Sequence, residues 1–332
     1  MSSTTNRSAA RRAYGRYAVR RLAQAVAVVL LAYVFTFLVI SVLPGDPVSN
    51  VLRDPQNNFS EQEIARIVAY YGLDQPIWVQ LVEALSRFVV GDLGVSLRSN
   101  LPVSGLLADV LPSTLRLAGA ALAVALVLAF AIAFGVRNLP APLARPLRAF
   151  PSLFLSVPNF LIGLVLIQWF SFQLGLFLVI DAESLLATFF AAVALGIPVS
   201  AQIAEVLIAN LDHEARQEYA AVARSRGLGR ARLFTAHLLK PSSLPVVTVV
   251  ALTVGELLGG SLITETIFGR NGVGNLVQRS VATQDLPVLQ AVVALAAVVF
   301  VVVNLVADLV YPLLDPRVRL DASPARTKEV SA

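Results

Sequence analysis

The sequence predicts an all-α integral membrane protein with six transmembrane helices, and three observations carry that prediction. Hydrophobic residues make up 57% of the 332 and charged residues only 14%, against roughly 45–50% and 25% in a soluble domain. The apolar residues gather in blocks of about 20, the length that crosses a bilayer core at a rise of about 1.5 Å per residue. Basic residues cluster in segments between those blocks.

The first span is placed at 22–43, behind a tail, 1–21, that ends in Arg20-Arg21. A basic start followed by an apolar run also describes a secretory signal peptide. Here the run exceeds a usual signal core and no small-x-small site follows it, so it is read as a retained helix. Residues 44–113 form a loop region with eight acidic residues and four arginines (Arg53, Arg66, Arg87 and Arg98), a balance that marks an exported segment. Within it, Ser60 as N-cap, Glu63 as the reciprocal partner and Gly72 as the stop predict a short helix. The remaining five spans lie within 114–314, at 114–136, 151–175, 185–206, 244–268 and 288–311, and a second tail covers 315–332.

Charge sets the orientation. Six Lys and Arg precede residue 22, three lie in 137–148, six in 216–240 and four after 316, together 19 of the 26. Alternating helices bring all four groups to one side, and the positive-inside rule makes that side the cytoplasm. Both termini are thus expected to be cytoplasmic. The net charge of +5 reads as a topology signal, and no nucleic-acid partner is expected. With no cysteine and two histidines, disulfides and thiol nucleophiles are excluded and a metal cage is not expected. No G-x-x-x-x-G-K-[ST] sequence is present to cradle ATP phosphates, so no catalytic role and no cofactor are expected.

The cytoplasmic segment 207–243 carries the most local information. Glu218 to Arg226 lacks glycine and proline and ends at Gly227, the residue type that most readily closes a helix in the left-handed region. A second helical pattern runs from Arg230 to Lys240, and Pro241 and Pro245 mark the entry to the fifth span. Taken alone, these two basic helices fit either a knob gripped by a cytoplasmic partner or an interfacial helix on anionic lipid.

The stretch from Glu218 to Pro245 resembles the coupling loop of ABC importer permeases: an acidic residue, small residues, a glycine about nine positions on and a later Leu-Pro. Further motifs, in order, resemble the dipeptide, oligopeptide and nickel importer subfamily. They are Leu43-Pro44-Gly45-Asp46-Pro47, Tyr71-Gly72-Leu73-Asp74-Gln75-Pro76, Gly91-Asp92-Leu93-Gly94-Val95-Ser96, Leu111-Pro112-Ser113-Thr114-Leu115 and Ser156-Val157-Pro158. Later come Glu265-Thr266-Ile267-Phe268-Gly269 with Gly272 and Gly274, Asp285-Leu286-Pro287, Asn304, Asp308 and Leu314-Asp315-Pro316-Arg317.

The resemblance implies the type I ABC importer permease fold in a bacterial cytoplasmic membrane. It further implies a subunit that takes up peptides, metal chelates or similar solutes. Its partners would be two ATP-binding cassette ATPase subunits, a second and different permease, and an extracytoplasmic solute-binding protein. The ATPase-coupling residues would be Glu218, Tyr219, Ala220, Ala223, Arg224, Arg226 and Gly227, with Ala220, Ala221 and Ala223 letting the helix seat closely in the ATPase. Two departures from the family pattern fall on the exported face: a shorter, more apolar segment after the third span, and Gly269-Arg270-Asn271-Gly272 in place of an aromatic-Pro pair.

Glu256 sits midway along the fifth span, where an ionised side chain costs about 2.5–3.5 kcal/mol. It is expected to face protein or water, and it either lines the pathway, favouring cationic or amine-bearing solutes, or stays neutral or pairs with the partner subunit. Gly255 and Gly259 form a GxxxG that reads as a helix contact. The glycines of 269–274 are read as turn formers, and His213 and His237 as surface residues. Two rival functions are open on the residues alone: a gradient-driven carrier using Glu205, Glu256 and Asp308 as a proton relay, and a membrane scaffold that transports nothing.

Overall fold

The computed structural model describes residues 3–42, 60–72 and 74–314. The Leu43–Pro47 motif, Leu73 and Asp315–Arg317 lie outside the described residues, as does the side chain of Asp308. In chain order the helices are α1 (Ser3–Val42), α2 (Glu61–Tyr71), α3 (Ile77–Val89), α4 (Val103–Asn138), α5 (Ala141–Leu155) and α6 (Asn159–Leu166), which runs on as a π-helical stretch, Ile167–Gln173. Then come α7 (Leu185–Ala215), α8 (Glu218–Ser225), α9 (Arg230–Leu233), a π turn at Phe234–Leu238, α10 (Leu239–Ser242), α11 (Leu244–Ile267), α12 (Val273–Ala282) and α13 (Leu286–Leu314).

Among the described residues, four helical stretches are long and apolar enough to cross a membrane unbroken: Val19–Val39, Val103–Asn138, Leu185–Glu214 and Leu286–Val306. Counting each of two bent helix pairs as one span gives up to six. Residues Ala141–Leu155 and Asn159–Gln173 meet at 104°, and Arg230–Ser242 meets Leu244–Leu257 at 60°. The third span therefore does not run straight through 151–175. Pro158 lacks an N–H and disfavours helical backbone at Val157, so the chain turns there and leaves α5 as a separate helix with Leu143 and Leu153 exposed. The second span departs in the other direction: Pro112 lies inside α4, and α4 begins at Val103.

Between the first two spans the predicted capped helix is present. The Ser60 hydroxyl accepts from the Glu63 N–H at 3.3 Å, the Ser60 N–H donates to Glu63 Oε2 at 2.8 Å, and Gly72 closes α2 at φ +60°. The Tyr71 hydroxyl donates to the Val95 carbonyl at 2.7 Å and accepts from the Val95 N–H at 2.8 Å, fixing the loop around Leu97. The loop region docks on α1 as well, where Tyr33 stacks on Phe88 with centroids 4.3 Å apart.

The core is built on α4 and α7. Ala121, Ala125, Ala129 and Ala133 recur every four residues, so they share one face of α4, and all are buried. On α7 a Cβ at Gly196 would lie 2.7 Å from the Ala121 carbonyl oxygen. The two backbones therefore approach closely at this point, with Val124 packed beside Gly196, an arrangement that favours van der Waals contact where lipid removes the hydrophobic driving force.

Candidate functional site

α8 follows α7 after a two-residue bend, and its composition fixes how it sits. Ala220 and Ala223, three residues apart, share a face, and both are buried in the main core with Ala215, Leu233 and Leu238. Arg224 reaches back to donate to the Ala215 carbonyl at 3.1 Å. Tyr219 donates to Glu214 at 2.5 Å; partial burial, and then the carboxylate it bonds, push its phenol pKa up to about 12, so the proton stays in place at physiological pH. The Leu228 N–H bonds the Ala223 carbonyl at 3.3 Å and the Gly227 N–H bonds the Arg224 carbonyl at 2.9 Å. This is the paired closure of a Schellman motif, with Gly227 at φ +81°.

The outward face of α8 consists of Glu218, Tyr219, Ala221, Val222, Ser225 and Arg226, with Tyr219 41% and Val222 49% exposed. One expectation is corrected here. Ala220 and Ala223 cannot seat a partner, because they are already packed against this chain's own bundle; of the three alanines only Ala221 faces out. Small residues on α8 let it lie close to α7. Arg148 and Asp212 pair at 2.6 Å nearby, joining α5 to α7.

Along α11 the exposed residues Leu252, Glu256, Gly259, Ile263 and Thr266 recur at alternating steps of four and three, which makes them one continuous stripe. Glu256 accepts from the Gln202 amide on α7 at 3.1 Å. Glu205, one turn further along α7, accepts from Ser152 at 3.3 Å, so the two carboxylates have separate partners. The GxxxG divides: a Cβ at Gly255 would meet the Phe300 ring at 3.3 Å, whereas Gly259 has nothing within 4 Å and lies on the open stripe. His213 pairs with Gln217 at 3.0 Å and His237 is exposed.

At the opposite end of α7 the structure gathers buried polar groups to which the sequence reading gave no role. Glu265 is fully buried. It accepts from the Thr114 hydroxyl at 2.7 Å and from the Gly274 and Asn275 N–H groups at 2.8 and 3.2 Å, capping α12. A Cβ at Gly272 would lie 2.3 Å from its carboxyl, and one at Gly274 would lie 2.8 Å from it and 2.4 Å from Leu262 Cα. These glycines therefore make room for a carboxylate, beyond forming a turn. Arg270 is also fully buried, bonded to the Ala182 carbonyl, Thr188, Ser113 and Glu183. Asp285 accepts from Ser96 and from the Leu97 N–H, the latter at 3.1 Å. The order Glu265, Gly272, Gly274 was visible in sequence as a motif; only the fold reveals that its members touch.

Residues 110–320 match the family described as binding-protein-dependent transport system inner membrane component. Residues 15–118 match its N-terminal companion. The oligopeptide transport system permease AppB of Bacillus subtilis is 31% identical over 316 residues, 91% of this chain and 98% of that protein. The glutathione transport system permease GsiC of Escherichia coli is 32% identical over 309 residues, again 91% of this chain and 98% of that protein. In fold, the chain is similar to a solved inward-facing MetNI methionine ABC transporter, with a TM-score of 0.53 at 17% identity over 63% of this chain and 96% of that one. Family membership sets aside the gradient-driven carrier and the scaffold: this chain belongs to the binding-protein-dependent transport system inner membrane components, the permease subunits of ABC importers.

Proposed function

We propose that this permease forms half of a transmembrane pathway for peptides or related small solutes, and that α8 receives force from a separate ATPase. The observation that carries the reading is the division of α8 into two faces. Its alanine face and Arg224 fix it to the end of α7, while Glu218, Tyr219, Val222 and Arg226 stand outward for a partner to grip. A helix held this way passes displacement to the span it is attached to. On this reading residues 207–243 and both termini are cytoplasmic, and a second permease completes the pathway. A solute-binding protein delivers cargo at the α12 end, and AppB and GsiC, named for oligopeptide and glutathione transport, support peptides as that cargo. Glu256 and Arg226 then serve different ends of one cycle, the first in the pathway and the second at the ATPase.

The test is Gly227→Asp. At φ +81° a side chain strains the turn that sets the angle of α8, so the variant is expected in the membrane at normal amounts with solute-stimulated ATP hydrolysis abolished. Retained solute-dependent hydrolysis contradicts the coupling role. Cysteines placed singly in this cysteine-free chain test the orientation: labelling of 215–240 from outside the cell overturns it.

A further inference from the structure

Arg270 joins three separate parts of the chain. One guanidinium nitrogen, Nη1, donates to the Ala182 carbonyl at 2.6 Å and to Thr188 Oγ1 at 2.8 Å, and the other, Nη2, donates to Ser113 Oγ at 3.1 Å and Glu183 Oε2 at 3.0 Å. Ser113 belongs to α4, Thr188 to the first turn of α7, and Arg270 itself to the turn between α11 and α12. On the adjacent residue of α4, Thr114 bonds Glu265, which caps α12. Val273, the first residue of α12, donates its own N–H to Thr114 at 2.8 Å. A guanidinium is planar with donors in a fixed fork, so it sets the relative orientation of these three segments, where an apolar contact would let them slide.

The other end of α7 carries α8, about 45 Å away along one unbroken helix of 31 residues. We propose that Arg270 is a positioning residue that makes the α12 ends of α4, α7 and α11 move as one body, delivering displacement of α8 to the surface formed by α12. The proposal rests on the coupling reading of α8 and adds where that displacement arrives. It also gives the two departures from the family pattern a common basis, since Arg270 from one is bonded to Ala182, Glu183 and Thr188 from the other.

Arg270→Met tests it. Removing one partner of a buried pair is damaging when it strands a charge, but Glu183 keeps Arg116 at 3.1 Å and the Ser113 hydroxyl at 2.6 Å. The variant is therefore expected to assemble with its ATPase subunits and to hydrolyse ATP at the basal rate. Stimulation by solute-loaded binding protein should fall about five- to tenfold, the scale of an allosteric coupling, and Arg270→Lys, which restores the charge without the fork, should recover part of it. A second measurement does not depend on that variant's folding. Spin labels at Leu185→Cys and Val281→Cys, 90% and 59% exposed in the parent, should report one distance with and without ATP while Arg270 is present. Full stimulation in Arg270→Met, or a label distance that changes with ATP in the Arg270 parent, overturns the proposal. If Gly227→Asp retained stimulation, the coupling reading would fall, and the label distance would still decide the one-body claim.

Discussion

Glu265→Gln isolates the buried carboxylate from its shape. The side chain keeps its volume, but one oxygen becomes an NH2 group in a site where every neighbour donates: Thr114 to Oε1, Gly274 and Asn275 to Oε2. The less costly setting turns the NH2 toward Thr114 and keeps the oxygen on the two backbone N–H groups. Those two bonds then lose their charge assistance, about half of 1.5–3 kcal/mol each. The Thr114 proton loses its acceptor for about 1 kcal/mol more, so the expected loss is about 2.5–4 kcal/mol. Gly272→Ala attacks the same site from the other side, placing a Cβ 2.3 Å from the Glu265 carboxyl. In a Glu265→Ala background that Cβ enters the space vacated, so the two changes should be non-additive by about 1–3 kcal/mol in the relieving direction. Thermal unfolding of the purified complex at one fixed scan rate across Glu265→Gln and the four proteins of the cycle reads both quantities. A wild-type transition for Glu265→Gln, or a Gly272→Ala cost that is the same in both backgrounds, refutes the cradle argument.

Two other perturbations separate pathway from scaffold. Glu256→Gln retains a partner for Gln202, so assembly should persist while solute preference or transport rate changes; equal transport of cationic and neutral solutes by parent and variant removes Glu256 from the pathway. In the loop region, the Tyr70 hydroxyl and then the Gly94 N–H hold the Asp92 carboxyl below the ordinary carboxylate range. Its stabilising contribution is therefore complete above the unfolded value of about 3.9 and is lost as pH falls through the lowered folded value. The thermal transitions of parent and Asp92→Asn should differ at neutral pH and converge in strong acid, and a constant difference contradicts the assignment.

Local chemistry was legible in the sequence wherever one element contained it. Ser60, Glu63 and Gly72 announced α2 because a capping box closes within four residues, and Gly227 announced the end of α8 for the same reason. Spans were legible because bilayer thickness imposes a length on apolar runs. The break in the third span was not, since hydropathy is blind to direction and Pro151 and Pro158 offer equivalent punctuation; the chain bends at Pro158 and carries Pro151 inside α5. The alanines of α8 were read as seating it against a partner, whereas Ala220 and Ala223 pack into this chain's own core; a short sequence does not specify which neighbour a small face meets. Arg270 and Glu265 were least legible, because the side-chain partners of Arg270 and the Thr114 partner of Glu265 lie on α4, on α7 and in the loop before α7, between 82 and 157 residues away.

The two sides of the bundle are built for different tasks. Between α4 and α7 the backbones come too close to admit a side chain at Gly196, beside a face of α4 on which Ala121, Ala125, Ala129 and Ala133 are all buried. At that point the seam has little room in which a displacement could be absorbed, and interiors packed this closely transmit strain. The stripe on α11 is the reverse: Leu252, Glu256, Gly259, Ile263 and Thr266 are open within the chain. A carboxylate facing lipid at that depth costs about 2.5–3.5 kcal/mol, a penalty avoided if the stripe meets another protein surface or water. Under the proposed assembly, both conditions are met where a second permease faces this one across a solute path. Motion generated at α8 then has a stiff seam to travel along and a compliant, polar face at which to act, which places the change in solute access between two chains rather than within one.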